Sequence, residues 1–341
     1  MKGLLVTGPH QAAVVDVPRR PLGAGNLRVR VSRAGICGTD LSLYAGKLVF
    51  ARYPITPGHE FSGTVVEAGP GTQFRVGDRV TANPILSCRR CPACLRGEIN
   101  HCAGTEVLGV VSRSGAFAEE VVVDDDMLDR LPDSVSFDAG AMVEPLAVAV
   151  RIADRAGDVR GKSVALLGGG GIGLLALQVL RTRGARFVMI TDLAERRLSA
   201  ARELGADLAV NAAKVDVVAA GRQEVGEFDV VVDGVGIGET ILQSIQLCRA
   251  GGTLVIYGVP SAGESMQSVI QASFRKDLNV ATSRLYPRSL DGAIDLLAKG
   301  LVRIEPLITH RVSLEEVPDA LERLLVDKEG AIKVLAAPWS D

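Results

Sequence analysis

The chain has 341 residues, a formal net charge of −2 and 47% hydrophobic residues, enough for two domains with buried cores. The near-neutral charge and the lack of long basic runs argue against nucleic acid as the main partner. No apolar run reaches the roughly 18 residues of a membrane span. The six cysteines, four of them clustered, suit metal ligation in a reducing compartment. We therefore expect a cytoplasmic protein without a membrane partner.

The first part of the chain is rich in short strand patterns separated by turn residues. The opening stretch, MKGLLVTGPH, is too short for a signal peptide and is more typical of a strand. Further strands are predicted in LRVRVSRAGI, FSGTVVEAGP, VGDRVTAN and FAEEVVVDDDML. Such runs indicate an irregular, mostly antiparallel, barrel-like domain.

Three candidate zinc ligands lie in this part: Cys37 in AGICGTD, and His59 and Glu60 in PGHEFSG. Glu144 follows in MVEPLAVAV, just before the chain changes character. Read singly, a lone cysteine or histidine is more often packed in a core, and Glu60 could equally be an exposed carboxylate. Three protein ligands with one exchangeable position are what a catalytic zinc needs, and the other motifs raise that possibility.

Four cysteines with the spacing C-x2-C-x2-C-x7-C form a predicted lobe at about residues 84–104. They are Cys88, Cys91, Cys94 and Cys102. Closely spaced thiolates can wrap one tetrahedral ion, and many closed structural zinc sites use four cysteines. The alternative is a disulfide pair or free buried thiols, which suits a reducing compartment less well. The spacing therefore predicts a structural zinc ion.

Beyond about residue 150, near-continuous apolar strands alternate with amphipathic helices. Strands are predicted in VALLG, FVMITD, FDVVVDGVG and GGTLVIYGV, and helices in LLALQVLRTRG and LAERRLSAARELG. This alternation is typical of a parallel sheet that helices cover on both faces. The tail, from about residue 290, carries two more predicted helices, in LDGAIDLLAKG and LEEVPDALERLLVDKE.

The segment GGGGIG follows the VALLG strand and opens a helix, with its glycines in G-x-G-x-x-G register. There, glycines make a tight turn and aim a helix N-terminus at a pyrophosphate. A glycine-rich turn that binds nothing is the alternative. The predicted cofactor-binding residues are Gly168, Gly170, Gly171, Ile172, Gly173, Asp192, Val235, Gly258 and Val259.

Asp192 ends the next strand, 19 residues after Gly173. A carboxylate there accepts hydrogen bonds from the ribose hydroxyls of adenosine and repels a 2′-phosphate. Arg196 and Arg197 lie a turn further on and are expected to be solvated helix residues. We therefore expect NAD as the cofactor, with NADP as the alternative.

Seven features of the sequence together carry a family resemblance: GICGTD, PGHEFSGTVVEAG, VGDRV, the four-cysteine spacing, EPLAVAV, GGGGIG and ITHRVSLEEV. Over essentially its full length, the chain resembles the zinc-dependent medium-chain dehydrogenase/reductase superfamily. The resemblance is to the branch of sorbitol (polyol), threonine and glucose dehydrogenases. It implies an α/β protein with a GroES-like, mostly-β catalytic domain at residues 1–148 and a Rossmann doubly wound parallel sheet at residues 149–288. Residues 289–341 are expected to return to the catalytic domain.

The resemblance implies two zinc ions per chain, one structural and one catalytic. It makes Cys37, His59 and Glu60 the ligands of the catalytic zinc, and Glu144 matches a carboxylate that approaches this metal directly or through water. A catalytic zinc acts as a Lewis acid that lowers the pKa of an alcohol hydroxyl. The hydride then passes to the nicotinamide, whose chemistry belongs to the cofactor.

Thr39, Glu60 and Ser42 are the predicted catalytic residues. The hydroxyl of Thr39 could take the alcohol proton, although a plain turn residue is the alternative. Many relatives carry a histidine five residues after the cysteine ligand, where this chain has Ser42. Serine does not titrate near neutral pH, so we expect Ser42 to contribute little to the rate.

The sequence specifies the substrate less closely than it specifies the metal and cofactor sites. Aromatic residues make up only 4% of the chain, which disfavours an aromatic-lined pocket, and Tyr44, Lys47 and Arg52 could hydrogen-bond several hydroxyls or be ordinary surface. Arg284 and Tyr286 are further tentative substrate residues. We expect a polyol, sugar or cyclitol; CGTDLSLYAGK and SRLYP also resemble aminocyclitol dehydrogenases such as 2-deoxy-scyllo-inosamine dehydrogenase.

Three alternatives remain open at this point. Threonine is the second substrate, since CGTD followed by Tyr44 is also similar to L-threonine 3-dehydrogenase. A zinc-free reductase of the same fold and a non-catalytic dinucleotide-binding protein are the other functions, because fold alone does not establish activity. We also expect a homodimer or homotetramer that associates through edge strands near GGTLVIYGV.

Overall fold

The computed structural model describes residues 1–259, 267–287, 289–326 and 330–339. The chain divides into two compact units. The first contains residues 1–144, 287–300 and 308 onward, and the second contains residues 145–286 and 301–307. The division therefore falls after residue 144, where 148 is expected. Within the tail, residues 301–307 group with the second unit and not with the first.

Strands dominate the N-terminal part of the first unit. They are β1 (Lys2–Gly8), β2 (Gln11–Asp16), β3 (Asn26–Ile36), β4 (Glu60–Ala68), β5 (Arg79–Ala82), β6 (Ile85–Leu86), β7 (Glu106–Val107), β8 (Glu120–Asp124) and β9 (Leu128–Arg130). The helices there are α1 (Gly38–Tyr44), α2 (Pro92–Leu95) and α3 (Phe137–Ala141). In β3, Val29 and Val31 are buried while Arg30 between them is exposed, the period-two pattern that a pleated strand requires.

The second unit alternates helices and strands. Its helices are α4 (Val143–Ala156), whose first two residues belong to the first unit, α5 (Gly171–Thr182), α6 (Glu195–Glu203), α7 (Val217–Val225), α8 (Gly238–Leu247) and α9 (Gln267–Arg275). Its strands are β10 (Ser163–Leu167), β11 (Phe187–Asp192), β12 (Leu208–Asn211), β13 (Phe228–Asp233), β14 (Cys248–Ile256) and β15 (Asn279–Thr282). They form one parallel sheet in the order β12-β11-β10-β13-β14-β15. This confirms the doubly wound sheet, whose order reverses at β10, the usual place for a dinucleotide.

The tail adds α10 (Asp291–Ala298), β16 (Ile308–Ser313), α11 (Val317–Val326) and β17 (Lys333–Ala337). Both predicted tail helices form, although residues 327–329 of the second lie outside the described residues. β16 and β17 join a seven-stranded sheet of order β16-β17-β3-β4-β5-β9, in which β8 also pairs with β3. All pairs are antiparallel except β16 with β17. β17 therefore lies beside β3, and β3 lies beside β4.

The core of the first unit is built from β3, β4 and the helices on them, and it includes Leu43 and Tyr44 of α1 and Leu321 of α11. The core of the second unit packs the parallel strands against the helices, with Ala165, Val231 and Leu254 fully buried. Among the helices of the described residues, none is long and apolar enough to cross a membrane.

Candidate metal centres and dinucleotide site

Cys37, His59 and Glu60 come together at the ends of two paired strands. Cys37 directly follows β3, and Glu60 begins β4, where it pairs with Gly35. One ligand atom from each of the three residues lies within 4.8 Å of the other two, and both His59 and Glu60 are buried. Thiolate, imidazole and carboxylate are the ligand types that zinc uses in proteins, so this trio of side chains fits a zinc ion.

Two glycines permit this close approach. A Cβ atom at Gly35 would lie 2.3 Å from Oε2 of Glu60. Gly58 has a φ of +101°, and a Cβ atom there would lie 2.8 Å from the backbone nitrogen of Phe117. Both positions therefore need glycine, one for space and one also for its left-handed backbone.

Asp40 accepts a hydrogen bond from one member of the trio, Cys37, and faces a second, His59, a role that the sequence pattern did not reveal. The side chain is buried, and its Oδ2 accepts a 2.8 Å hydrogen bond from the backbone N–H of Cys37. Its Oδ1 lies 3.5 Å from Nδ1 of His59. Burial lowers the pKa of His59, but the charges of Asp40 and Cys37 outweigh burial and raise it well above the usual value. A carboxylate behind a ligating histidine fixes the ring orientation.

Lys333 is the second residue that sequence reasoning missed. It begins β17, is buried, and donates from Nζ to Oε2 of Glu60 at 2.5 Å and to the carbonyl of Ile36 at 3.3 Å. Burial lowers the pKa of Lys333, but the charges of Glu60, Cys37 and Glu144 raise it overall. The ammonium therefore stays charged beside a candidate ligand.

Glu144 lies in the first turn of α4 and is buried. It is outside the compact set formed by Cys37, His59 and Glu60. Its charge nevertheless helps to raise the pKa of Lys333, so it belongs to the same electrostatic environment. A role for Glu144 in metal binding stays a prediction.

Thr39 and Ser42 differ in their relation to Cys37. The thiol of Cys37 lies 3.8 Å from Oγ1 of Thr39, to which it can donate. The hydroxyl of Ser42 instead donates to the carbonyl of Gly38 one helical turn earlier, at 2.9 Å. This arrangement places Thr39 beside the candidate metal ligands and occupies the proton of Ser42 with the backbone.

The four cysteines of the lobe also converge. The Sγ atoms of Cys88, Cys91, Cys94 and Cys102 all lie within 4.8 Å of one another, and all four are free thiols. Two of the separations are 3.5 Å, from Cys91 to Cys94, and 3.9 Å, from Cys88 to Cys94. Four sulfurs placed tetrahedrally at about 2.3 Å from zinc are about 3.8 Å apart. The pairing of β6 with β7 brings together the segments on either side of the lobe.

Two of the cysteines of the lobe have pKa values shifted in opposite directions. A backbone hydrogen bond from Cys94 lowers the pKa of Cys91, but hydrogen bonds with neighbouring thiols and burial raise it overall, to about 11. Cys88 shows the opposite shift. The backbone N–H groups of Arg90 and Cys91 hydrogen-bond its sulfur and lower the pKa to about 6. The thiolate is the form of cysteine that binds metal. The lobe therefore fits a zinc ion.

The predicted glycine turn joins β10 to α5. Gly168 has a φ of +106°, and a Cβ atom at Gly173 would lie 2.0 Å from the carbonyl oxygen of Gly168. α5 begins at Gly171 and is followed by Ile172 and Gly173 in its first turn. The turn thus has the backbone and the helix N-terminus that a pyrophosphate requires.

Asp192 ends β11 and faces this turn. Its Oδ2 accepts a 2.9 Å hydrogen bond from the backbone N–H of Gly169, and its Oδ1 accepts one from Ala194. Nη1 of Arg197 lies 3.4 Å from Oδ1. Arg197 is therefore not merely solvated as expected, because its half-buried side chain pairs with this carboxylate. Arg196 is exposed, as expected.

The remaining cofactor candidates follow the ends of β13 and β14. Val235 is partly exposed, and Val259 is largely exposed. A Cβ atom at Gly258 would lie 2.4 Å from the backbone nitrogen of Gly236, so these two loops are in contact. They lie at the same edge of the sheet as the glycine turn, since parallel strands end together.

The candidate substrate residues differ in burial, and some are buried while others are exposed. Tyr44 is buried in the core of the first unit, where burial and a hydrogen bond to Glu322 raise its pKa to about 12. Its hydroxyl therefore already has a partner in Glu322, and a role for Tyr44 in substrate binding stays a prediction. Tyr286 is buried while Arg284 is exposed, and both stay predictions. Lys47 and Arg52 are exposed.

Three features together identify the class of protein as a zinc-dependent dehydrogenase. They are the doubly wound sheet with its glycine turn, the Cys–His–Glu trio and the four-cysteine lobe. Residues 23–133 match the family described as alcohol dehydrogenase GroES-like domain. Residues 171–299 match the family described as zinc-binding dehydrogenase. The chain belongs to the zinc-dependent medium-chain dehydrogenase/reductase superfamily.

Relatives of known sequence match the chain along almost its whole length. The starvation-sensing protein RspB of Escherichia coli is 32% identical over 98% of each chain. Sorbitol dehydrogenase of Bacillus subtilis is 30% identical over 99% of this chain and 97% of its own. L-threonine 3-dehydrogenase of Symbiobacterium thermophilum is 34% identical over 96% and 95%.

Solved structures confirm the fold. A protein described as a zinc-binding dehydrogenase, from Sinorhizobium meliloti and bound to NADP, has a TM-score of 0.92 at 36% identity, over 99% of each chain. The alcohol dehydrogenase rspB of Escherichia coli, in complex with NADH, has a TM-score of 0.92 at 31% identity, over 99% of each chain.

Proposed function

We propose that this protein is a zinc- and NAD-dependent dehydrogenase that oxidises a secondary alcohol of a polyhydroxylated substrate, a polyol, sugar or cyclitol. The observation that carries the proposal is the trio of Cys37, His59 and Glu60, held by Asp40 in a chain with a complete glycine turn. The similarity to sorbitol dehydrogenase supports the substrate class.

Cys37, His59 and Glu60 would hold the zinc, which would supply a Lewis acid that lowers the pKa of an alcohol hydroxyl. Asp40 keeps His59 in the orientation that ligation needs. Thr39, whose hydroxyl lies beside Cys37, accepts the alcohol proton and passes it outward. Ser42 stays bonded to the backbone, so solvent, and not a titrating side chain, takes the proton next.

NAD is the proposed cofactor because Asp192 presents a carboxylate at the position that meets the adenosine ribose. Arg197 offsets part of this charge, and one relative is bound to NADP, so the preference requires a direct measurement. Titration of the whole protein with NADH and NADPH, followed by nicotinamide fluorescence, should give the lower Kd for NADH. A lower Kd for NADPH would contradict the assignment.

A substrate panel that follows NADH formation tests the reaction. It should span polyols, aldoses, cyclitols, an aminocyclitol and threonine at equal concentration. We expect the highest kcat/KM among the polyhydroxylated compounds. A clear signal with threonine alone would instead support the second candidate, an L-threonine 3-dehydrogenase-like enzyme, which the similarity to that relative favours.

The remaining alternative is a non-catalytic dinucleotide-binding protein. Metal analysis separates it from an enzyme: about two zinc ions per chain fit the enzyme, and one fits a retained lobe beside an inactive trio. The six cysteines are all free thiols, which fits the proposed cytoplasmic location.

We further propose that the protein forms a homodimer or homotetramer through the edge of the parallel sheet. β14, which contains most of GGTLVIYGV, lies between β13 and β15, so an edge strand lies next to this segment. The edge is β15, and exposed apolar side chains flank it: Phe274 and Ile270 on α9 and Val280 on β15. Phe274→Asp should shift the sedimentation coefficient towards that of a single chain.

A further inference from the structure

Lys333 brings a positive charge into the candidate zinc environment, and this charge opposes a metal ion. It reaches Glu60 because β17, β3 and β4 are neighbours in one sheet. Its Nζ lies 2.5 Å from Oε2 of Glu60, and the side chains of the two residues are 7% and 2% exposed. This exposure leaves almost no solvent to screen the pair.

The sign of its effect follows from the direction of the hydrogen bond. A carboxylate that accepts from a ligating histidine makes the ring a better donor to the metal. Lys333 does the reverse, since an ammonium that donates to a ligand oxygen draws electron density away from it. Its positive charge also repels a dication, and in a buried site this repulsion is only weakly screened.

Lys333 also compensates the charge of Glu60 when no metal is bound. A buried carboxylate without a partner is strongly unfavourable, and removal of one member of a buried pair leaves an uncompensated charge. With Lys333 in place, Glu60 has an opposite charge at all times. The protein therefore does not depend on the metal to keep this carboxylate inside the sheet.

We propose that Lys333 is a positioning residue that competes with zinc for the carboxylate of Glu60, so that it stabilises the metal-free protein and makes the zinc exchangeable. The inference rests on the proposed function only in that the trio binds zinc. The opposite possibility is that Lys333 orients Glu60 for ligation, in which case its loss weakens metal binding.

The test is the rate of zinc release from Lys333→Met, followed with a chromogenic chelator. The phase that belongs to the trio is the one that disappears in His59→Ala, while the four-cysteine lobe supplies an internal reference. Supporting partners of ligands typically change affinity by about 10- to 100-fold. We expect Lys333→Met to release zinc from the trio at least about tenfold more slowly, with the lobe phase unchanged.

Thermal unfolding gives a second readout that a purely structural lysine does not move. Zinc should raise the Tm of Lys333→Met by more than it raises that of the wild-type protein, because the variant loses stability mainly without metal. Lys276→Met is the matched control: Lys276 also bonds a carboxylate, Glu227, and two carbonyls, but in the second unit. It should lower both Tm values equally.

An unchanged or faster release from Lys333→Met overturns the inference. If that variant does not fold even with zinc, Lys333→Gln removes the charge but keeps a hydrogen-bond donor, and the same two outcomes decide. None of these measurements uses substrate or NAD. A wild-type protein that binds zinc only in the lobe would refute the proposed function, whereas two zinc ions with no effect of Lys333→Met would refute the role of Lys333 alone.

Discussion

Gly35→Ala tests whether the geometry of the trio controls the metal. The added Cβ atom would lie 2.3 Å from Oε2 of Glu60, and real Cβ contacts essentially never fall under 3.0 Å. The carboxylate must therefore move by roughly 0.7 Å or more. It is bonded to Lys333 on the adjoining side, so this shift also disturbs that pair.

The expected magnitude follows from this displacement. A misplacement near 1 Å can cost about 10²-fold in rate, and overpacking in a well-packed interior costs about 1–3 kcal/mol. We expect Gly35→Ala to weaken zinc binding at the trio by about 10- to 100-fold and to lower kcat/KM by about 100-fold. The lobe should keep its zinc, because the four cysteines lie outside this contact.

The assay is zinc content per chain after dialysis against a weak chelator, together with kcat/KM on the best substrate of the panel. Gly38→Ala is the matched control. Gly38 also adjoins Cys37, but a Cβ atom there meets nothing within 4 Å, and alanine favours the first turn of α1. Gly35→Ala with two zinc ions and unchanged kcat/KM would refute the reasoning.

Three further outcomes are expected. Ser42→Ala should change kcat little, because the hydroxyl is bonded to a carbonyl; a thousandfold loss in steady-state assays would show that it relays protons. Asp40→Asn should weaken zinc binding at the trio by about 10- to 100-fold in chelator competition, and unchanged affinity would contradict its bracing role. Burial and the charge of Asp291 raise the pKa of Asp129 to about 6, so the folded state disfavours the charged carboxyl and stability falls as pH rises from about 4 through 6. Asp129→Asn should therefore gain about 1 kcal/mol at pH 7.5, after allowance for partial exposure, and nothing at pH 3.5; equal gains at both pH values in thermal unfolding would contradict this.

The four central strands of the parallel sheet were predictable because each contains a continuous apolar run, whereas β12 and β15 at its two edges were not predicted. FVMITD corresponds residue for residue to β11, and VALLG differs from β10 by one residue at each end. Such runs need no information from distant parts of the chain, since burial on both faces makes every position apolar. The glycine turn was also predictable from local sequence, because the backbone conformation that requires glycine there involves only neighbouring residues.

Tyr44 shows where local information is insufficient. Its position shortly after Cys37 placed it near a metal ligand along the sequence, and a tyrosine hydroxyl is a plausible contact for a polyol. The direction of its side chain is set by the packing of α1 in a core that also includes Leu321 of α11. That packing joins residues almost 280 positions apart, which no pattern around Tyr44 records.

The two charged residues that contact the trio, Asp40 and Lys333, also differ in whether the local sequence could have revealed them. Asp40 lies three residues after Cys37 and occupies a capping position of α1, so a carboxylate there could have been recognised as a brace. Lys333 is 273 residues from Glu60, and only the pairing of β17 with β3 brings it close. If Asp40 strengthens a ligand and Lys333 weakens one, Asp40→Asn and Lys333→Met should change zinc affinity in opposite directions. Changes in the same direction would mean that both residues hold the trio in place and that neither competes with the metal.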